Sequence, residues 1–261
     1  MEFTNSPLVT YTNITNHKTS PRKKAIDTIT IHCIVGQWTA KQGCDYFATT
    51  DRECSANYVV GKDGSIGLSV DEKDRSWCSS SSANDNRAIT IEVASDTKAP
   101  YAVTDAAYNA LIQLVADICK RNNIKKLVWS TEKDDRVNHK NGCNMTVHRD
   151  YANKSCPGEY LYERHGDIAA KVNEILNAFI TTKGGQTVAY ETSAPVIKKE
   201  IKVGSTVRLN KGAKTYTGGN LASFVYNRNH KVKQINVDRV VITFNNIVVA
   251  AVKKSDLTLV E

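Results

Sequence analysis

Between residues 27 and 180 the chain switches repeatedly between two periodicities, and no other feature narrows its fold as far. Residues 27–32 (DTITIH) and 88–93 (AITIEV) place polar and apolar residues in turn, the period-two pattern of a strand. Residues 39–49 suit a short helix with Thr39 as its cap. Residues 57–70 read as a hairpin, with Asp63-Gly64 at a turn that favours positive φ. Thr104 begins a helix on which Tyr108, Leu111, Ile112, Val115, Ile118 and Cys119 form one apolar face, and Asn122-Asn123 suits its end. Residues 127–129 read as a short strand and 130–147 as a long polar surface loop. A last helix is expected after Gly166, with Ile168, Val172, Ile175, Leu176 and Phe179 on one side. Strands interleaved with helices predict an α/β domain over residues 1–180.

The pattern then changes. Residues 181–199 contain Gly184-Gly185, Ser193 and Pro195 with little apolar periodicity, and read as a linker. Short β-rich runs follow at 201–209, 222–226, 231–235, 239–244 and 247–252, which predicts a small all-β barrel or sandwich over 200–261. Charge divides at the same place. Residues 1–180 carry 22 Lys/Arg against 22 Asp/Glu, residues 181–199 three against one, and residues 200–261 ten against four. The basic excess of the last segment favours a polyanion, whether nucleic acid, acidic wall polymer or anionic membrane. No apolar run reaches the roughly 18 residues of a membrane span. The N-terminus (MEFTN) lacks a basic stretch followed by an apolar one, so synthesis in the cytoplasm without a signal peptide is expected. The seven cysteines are an odd number, which argues against a fully paired disulfide framework. Cys119 falls on the apolar helix face and reads as core.

Residues 146–158 (TVHRDYANKSCPG) put an imidazole, a lysine and a thiol in one stretch closed by Pro-Gly. A catalytic zinc usually takes three protein ligands and keeps an open position. His148 and Cys156 suit two of them. His32, ending a core strand, is the natural third, whereas alternation turns Cys33 to the opposite face. Taken singly, each is as compatible with a packed or surface side chain. Glu92 interrupts an otherwise apolar strand, a place a carboxylate avoids unless it has a task. His17, His139 and His165 lie in polar stretches and read as surface residues.

Segment 146–158, with Thr30-Ile31-His32 and residues 88–93, resembles the N-acetylmuramoyl-L-alanine amidases of the type-2 amidase/peptidoglycan-recognition family. Residues 55–64 (SANYVVGKDG) correspond to the hairpin after the first helix. Ser76-Trp77 with Asn84 and Asn86 corresponds to the loop before the glutamate strand. The resemblance runs from about residue 22 to 180. It implies a central mixed sheet flanked by helices and a zinc ion on His32, His148 and Cys156. It further implies Glu92 as general acid/base, Lys154 as stabiliser of the oxyanion, Trp77 as a substrate contact, and Asn57 as a contact either to substrate or to the residues that surround the metal ligands. Some members use a tyrosine one residue before the position of Asn57; Ala56 stands here, which leaves Glu92 to carry more of the chemistry. Binding-only members lack a metal ligand, and all three are present. The implied reaction is hydrolysis of the amide between N-acetylmuramic acid and L-alanine in bacterial peptidoglycan, the rival being a non-enzymatic recognition protein. Some relatives have a disulfide near Cys44 and Cys54; two buried free thiols fit these residues equally.

Residues 202–209 (KVGSTVRL) through 252–257 (VKKSDL) resemble bacterial SH3-like wall-binding modules. That implies a tether to the wall, with Tyr216, Phe224, Tyr226 and nearby basic residues lining a groove. Phe224 and the Val/Ile residues suit a core as well. The expected partners are peptidoglycan and acidic wall polymers; no nucleic-acid motif is present. The architecture resembles phage endolysins, which act at the wall after release through a pore, or an autolysin exported by another route.

Overall fold

The run that begins at Asp27 becomes the middle of a six-stranded sheet. The computed structural model describes residues 3–183, 201–236, 238–245 and 247–260. The chain divides into two compact units, Met1–Thr192 and Ser193–Glu261. Of the expected linker, the first three residues belong to a helix and the rest lie outside the described residues.

In the first unit the elements are β1 (Tyr11–Thr12), β2 (Lys18–Thr19), β3 (Thr28–Val35), α1 (Ala40–Thr49), β4 (Tyr58–Val60), β5 (Ile66–Leu68), β6 (Arg75–Ser76), α2 (Ser82–Asp85), β7 (Ala88–Ser95), α3 (Asp105–Arg121), α4 (Lys133–Val137), β8 (Met145–Val147) and α5 (Gly158–Lys183). The sheet order is β1-β5-β4-β7-β3-β8. It is mixed: β3 runs parallel to β7 and β8, and β4 runs parallel to β7 but antiparallel to β5. Strands β2 and β6 form a separate short ribbon.

Alternation gives this sheet two chemically different faces. Ile29, Ile31, Ile89, Ile91, Val93, Tyr58 and Met145 join Leu111, Leu114, Val115 and Ile118 of α3 and Leu161, Ile168 and Val172 of α5 in one core. The opposite face carries Thr30, Thr90 and Thr146, which are equally buried. Thr30 and Thr146 are satisfied by each other and by Asn84: Thr30 Oγ1 lies 2.8 Å from Thr146 Oγ1, Asn84 Nδ2 donates to Thr30 Oγ1 at 3.0 Å, and Thr146 Oγ1 donates to Asn84 Oδ1 at 3.0 Å, while Thr90 Oγ1 lies 2.7 Å from Ser76 Oγ and accepts from the Asn57 N–H at 3.1 Å. A buried hydroxyl without such a partner costs about 1–3 kcal/mol.

Helix α1 covers part of this second face. Thr39 caps it in a reciprocal box with Gln42. The helix approaches β5 so closely that a Cβ on Gly67 would stand 2.5 Å from Cys44 Sγ. The hairpin forms as expected, with Gly64 at φ +82°. Thr104 caps α3, whose end passes through Asn122 to Asn123 at φ +58°.

Three expected elements of this unit are corrected. Residues 127–129 form no strand; the backbone of Leu127 bonds to the Asn173 amide and the N–H of Val128 to Asn144 Oδ1, side chains taking the place of a ladder. The region 130–147 is not a plain loop, since it holds α4 and the edge strand β8, a strand too short to show a period. Helix α5 starts at Gly158 rather than after Gly166, which lies within it.

The second unit contains β9 (Thr206–Leu209), α6 (Ser223–Tyr226), β10 (His230–Asn236), β11 (Arg239–Phe244), β12 (Ile247–Lys253) and β13 (Leu257–Val260). Its five strands form one antiparallel sheet in the order β12-β11-β10-β9-β13. Val207, Leu209, Val225, Val232, Val240, Ile242, Val252 and Leu257 fill its core. The expected strand at 222–226 is instead the helical turn α6, which delivers Val225 to that core.

Leu114 is fully buried between α3 and the sheet. Leu114→Ala is expected to lower stability by about 2–5 kcal/mol, measured by urea denaturation.

Candidate functional site

The register of the sheet assembles the polar cluster. His32 of β3 pairs with Glu92 of β7, Glu92 pairs with Val59 of β4, and Ile31 pairs with Val147, so His148 follows directly beside His32. Val59 lies under α1, which places the cluster at the edge of that helix. The two imidazole rings meet edge to face at 5.1 Å. Cys156, just ahead of α5, sets its Sγ 3.4 Å from His32 Nδ1. One donor atom from each of His32, His148 and Cys156 lies within 4.8 Å of the others. Glu92 Oε1 is 4.0 Å from His32 Nδ1.

Burial sets the protonation of these groups. His32 is fully enclosed, and desolvation followed by the nearby His148 holds its pKa well below the usual imidazole value. His148 is lowered by burial and by the charge of Lys154. Both rings are therefore neutral at pH 7, the form that binds a metal. The Cys156 thiol is pushed well up, first by its hydrogen bond with Cys33 and then by burial, and ionises readily only beside a cation. His32 Nε2 and Glu92 Oε2 are buried without a partner. Two neutral imidazoles and a thiol converging on one point fit zinc, which favours nitrogen and sulfur ligands. Cys33 itself sits by Cys156 despite its place on the apolar face.

His148 is carried on a tight turn, and a buried ion pair shapes that turn. Asp150 accepts from the backbone N–H of Val147 at 3.0 Å and from Arg136 Nη2 at 2.6 Å, with both side chains almost wholly enclosed. The guanidinium also lies over Trp129, 4.5 Å from the ring centre. On the solvent side, Ser80 Oγ is 3.0 Å from His148 Nε2.

Beside the cluster opens a cleft of about 300 Å³, lined by Trp38, Tyr46, Phe47, Arg52, Trp77, Cys78, Glu92 and His148 among others. Trp77 is half-buried there, its Nε1 donating to Thr19 Oγ1. Lys154 is exposed and near enough to His148 to shift it. Asn57 does not reach the cleft. Its amide donates to the carbonyls of Val70 and Asp71 and accepts from the Thr90 N–H, so the expected substrate contact gives way to a role in tying β4 to β7. His165, expected at the surface, is fully buried against Trp129, its Nδ1 2.7 Å from the Leu161 carbonyl. Cys44 and Cys54 are free thiols, as are the other five cysteines. Sequence reasoning did not single out Cys78, whose Sγ is 4.0 Å from Glu92 Oε1, because no regular spacing relates residue 78 to the other donors. In the second unit Tyr216 and Phe224 are exposed, whereas Tyr226 turns inward and donates to the Ala213 carbonyl.

The profile of the N-acetylmuramoyl-L-alanine amidase family matches residues 22–159, just over half of the chain. The chain belongs to this family of enzymes, which cleave an amide of peptidoglycan. Solved structures similar to it include PlyL (18% identity, TM-score 0.47, 66% of this chain and 97% of that one). Others are AmpD (20%, 0.48, 65% and 99%) and the endolysin LysCS, an N-acetylmuramoyl-L-alanine amidase from Clostridium intestinale (18%, 0.42, 63% and 97%). No curated protein matches it significantly in sequence. Among the described residues no helix is long and apolar enough to cross a membrane.

Two predictions follow from burial. Asp150→Ala strands the Arg136 charge and should cost about 3–5 kcal/mol, with disorder of the His148 turn visible in its imidazole NMR signals. In the metal-free protein, burial followed by the charge of Cys33 pushes the Glu92 carboxyl up to about 8 from 4.5. The folded state then keeps a proton that the unfolded chain has lost, so this contribution to stability is full below 4.5 and falls as pH rises to about 8. Glu92→Gln should lack that decline, as urea midpoints at the two ends of the range would reveal.

Proposed function

We propose that the chain hydrolyses the amide between N-acetylmuramic acid and L-alanine with a zinc ion held by His32, His148 and Cys156, and that it thereby lyses the bacterial wall. The supporting observation is the convergence of these three donors within 4.8 Å, beside a buried carboxyl. When bound, zinc supplies Lewis acidity, acidifying water and polarising the scissile carbonyl.

The remaining steps fall to the protein. Glu92, held on a rigid central strand, receives the proton of the attacking water and returns it to the departing L-alanine amine. A neighbouring cation favours its carboxylate form and brings it towards the range a general base needs. Lys154, near enough to His148 to lower its pKa, supplies the ammonium that stabilises the oxyanion as charge develops. Trp77 and Trp38 form apolar walls for the substrate. The buried threonine face and the Arg136–Asp150 pair keep His32 and His148 in place.

The second unit serves as an SH3-like wall-binding domain, joined by a linker within 181–199. The ten basic residues against four acidic ones in residues 200–261 favour acidic wall polymers. Tethering raises the concentration of substrate at the cleft. The protein acts at the bacterial wall as an endolysin-like amidase.

Digestion of purified walls tests this reading. New L-alanine amino termini are expected, without new reducing sugar ends; reducing ends without new amines would refute it. Chelation should abolish activity and zinc restore it. Cys156→Ser should abolish activity and bind zinc more weakly, Glu92→Gln should slow turnover by about 10²–10⁴-fold, and Lys154→Ala by about 10²–10³-fold.

A further inference from the structure

The cleft holds more donors than the proposed zinc site uses. Cys78 follows Trp77 on the loop that closes over the cluster, and its Sγ stands 4.0 Å from Glu92 Oε1. One donor atom each from His32, Cys78 and Glu92 lies within 4.8 Å of the others, the same span as the His32–His148–Cys156 set. The two sets share His32. Its Nδ1 lies 3.4 Å from Cys156 Sγ and 4.0 Å from Glu92 Oε1. One nitrogen serves one ion at a time, so the sets are alternatives and not two independent sites.

Several features suit this second set to a metal. His32 is fully buried, and the second oxygen of Glu92, Oε2, is buried and unpartnered. The donors are a thiol, an imidazole and a carboxylate, a mixture that selects zinc or cadmium over the oxygen-seeking magnesium and calcium. The Asp85 carboxylate accepts from the Cys78 backbone N–H at 3.1 Å and so fixes the loop, while burial, Glu92 and Asp85 all oppose ionisation of the thiol until a cation is present.

We propose that a thiophilic divalent ion has a second binding mode in the cleft, on His32, Cys78 and Glu92, which competes with the productive one and withdraws Glu92 from proton transfer. This rests on the reading of His32, His148 and Cys156 as the productive ligands. A carboxylate oxygen committed to the ion cannot accept the proton of water, so an ion in this mode leaves the amidase loaded and inactive. Cys78 then sets what fraction of the loaded enzyme is competent.

Cadmium titration of the full chain tests the proposal, read by thiolate-to-metal charge-transfer absorbance and by metal retained after gel filtration. Cys156→Ser removes the productive thiolate and leaves the second set whole. It is expected to keep a thiolate band and close to one ion per chain. Cys156→Ser combined with Cys78→Ser should lose the band and bind at least about tenfold more weakly. Absence of the band in Cys156→Ser would overturn the proposal, as would its persistence in the double variant, which would assign it to another thiol. His148→Ala, with and without Cys78→Ser, provides a second pair should the first fold poorly; equal cadmium affinity in that pair also overturns it. A native chain that binds no ion would refute the productive site itself. Binding by the native chain but not by Cys156→Ser or His148→Ala would refute the second mode alone.

Discussion

The parallel pairing of β3 with β7 is the constraint on which the rest of the first unit depends. It runs from Thr28 against Ala88 to Val35 against Ser95, and it sets His32 beside Glu92. A slip of one residue would exchange the faces of either strand. His32 would then turn into the apolar layer beneath α3 and α5, and Ile31 into the cleft. The isoleucines on one face thus hold the register that the catalytic face requires. The hydrophobic core and the site are two sides of the same strands.

That arrangement obliges the chain to bury polar groups on the site face. Thr30, Thr90, Thr146, Asn57 and Asn84 are enclosed, and each is matched by a hydrogen-bonding neighbour. Beneath the His148 turn, Arg136 and Asp150 form an enclosed ion pair, which is worth little as net stability but is costly to break. Such groups make the face rigid and specific. His32 and Glu92 each keep one buried polar atom unpartnered, and their other polar atoms, Nδ1 and Oε1, stand 4.0 Å apart where a cation would ionise the carboxyl. The same crowding brings Cys78 within reach of that cation.

Much of this was legible in residue order. The period-two runs located β3 and β7, Thr39 and Thr104 marked the starts of α1 and α3, and Asp63-Gly64 marked the hairpin. Glu92 stood out as a charge in an apolar strand. Other elements left no such trace. Strand β8 has three residues, fewer than two periods of alternation. Helix α5 runs through Gly166, a residue that weakens a helix locally but is outweighed by the apolar face of Leu161, Ile168 and Val172. His165 looked exposed because its neighbours in sequence are polar, yet it is buried against Trp129.

By itself the sequence determined the alternation of strands and helices, the break in character near residue 181, the basic excess after it, and the residue types able to hold a metal. Local periodicity and charge carry that information without reference to distant residues. Only the tertiary structure decided that His32, His148 and Cys156 converge, that Asn57 faces inward, and that Cys78 joins Glu92. These depend on strand order, register and the path of the loops, which bring together positions as much as 124 residues apart. Contacts over such separations leave no period in a single sequence, because each is made by the packing of whole elements.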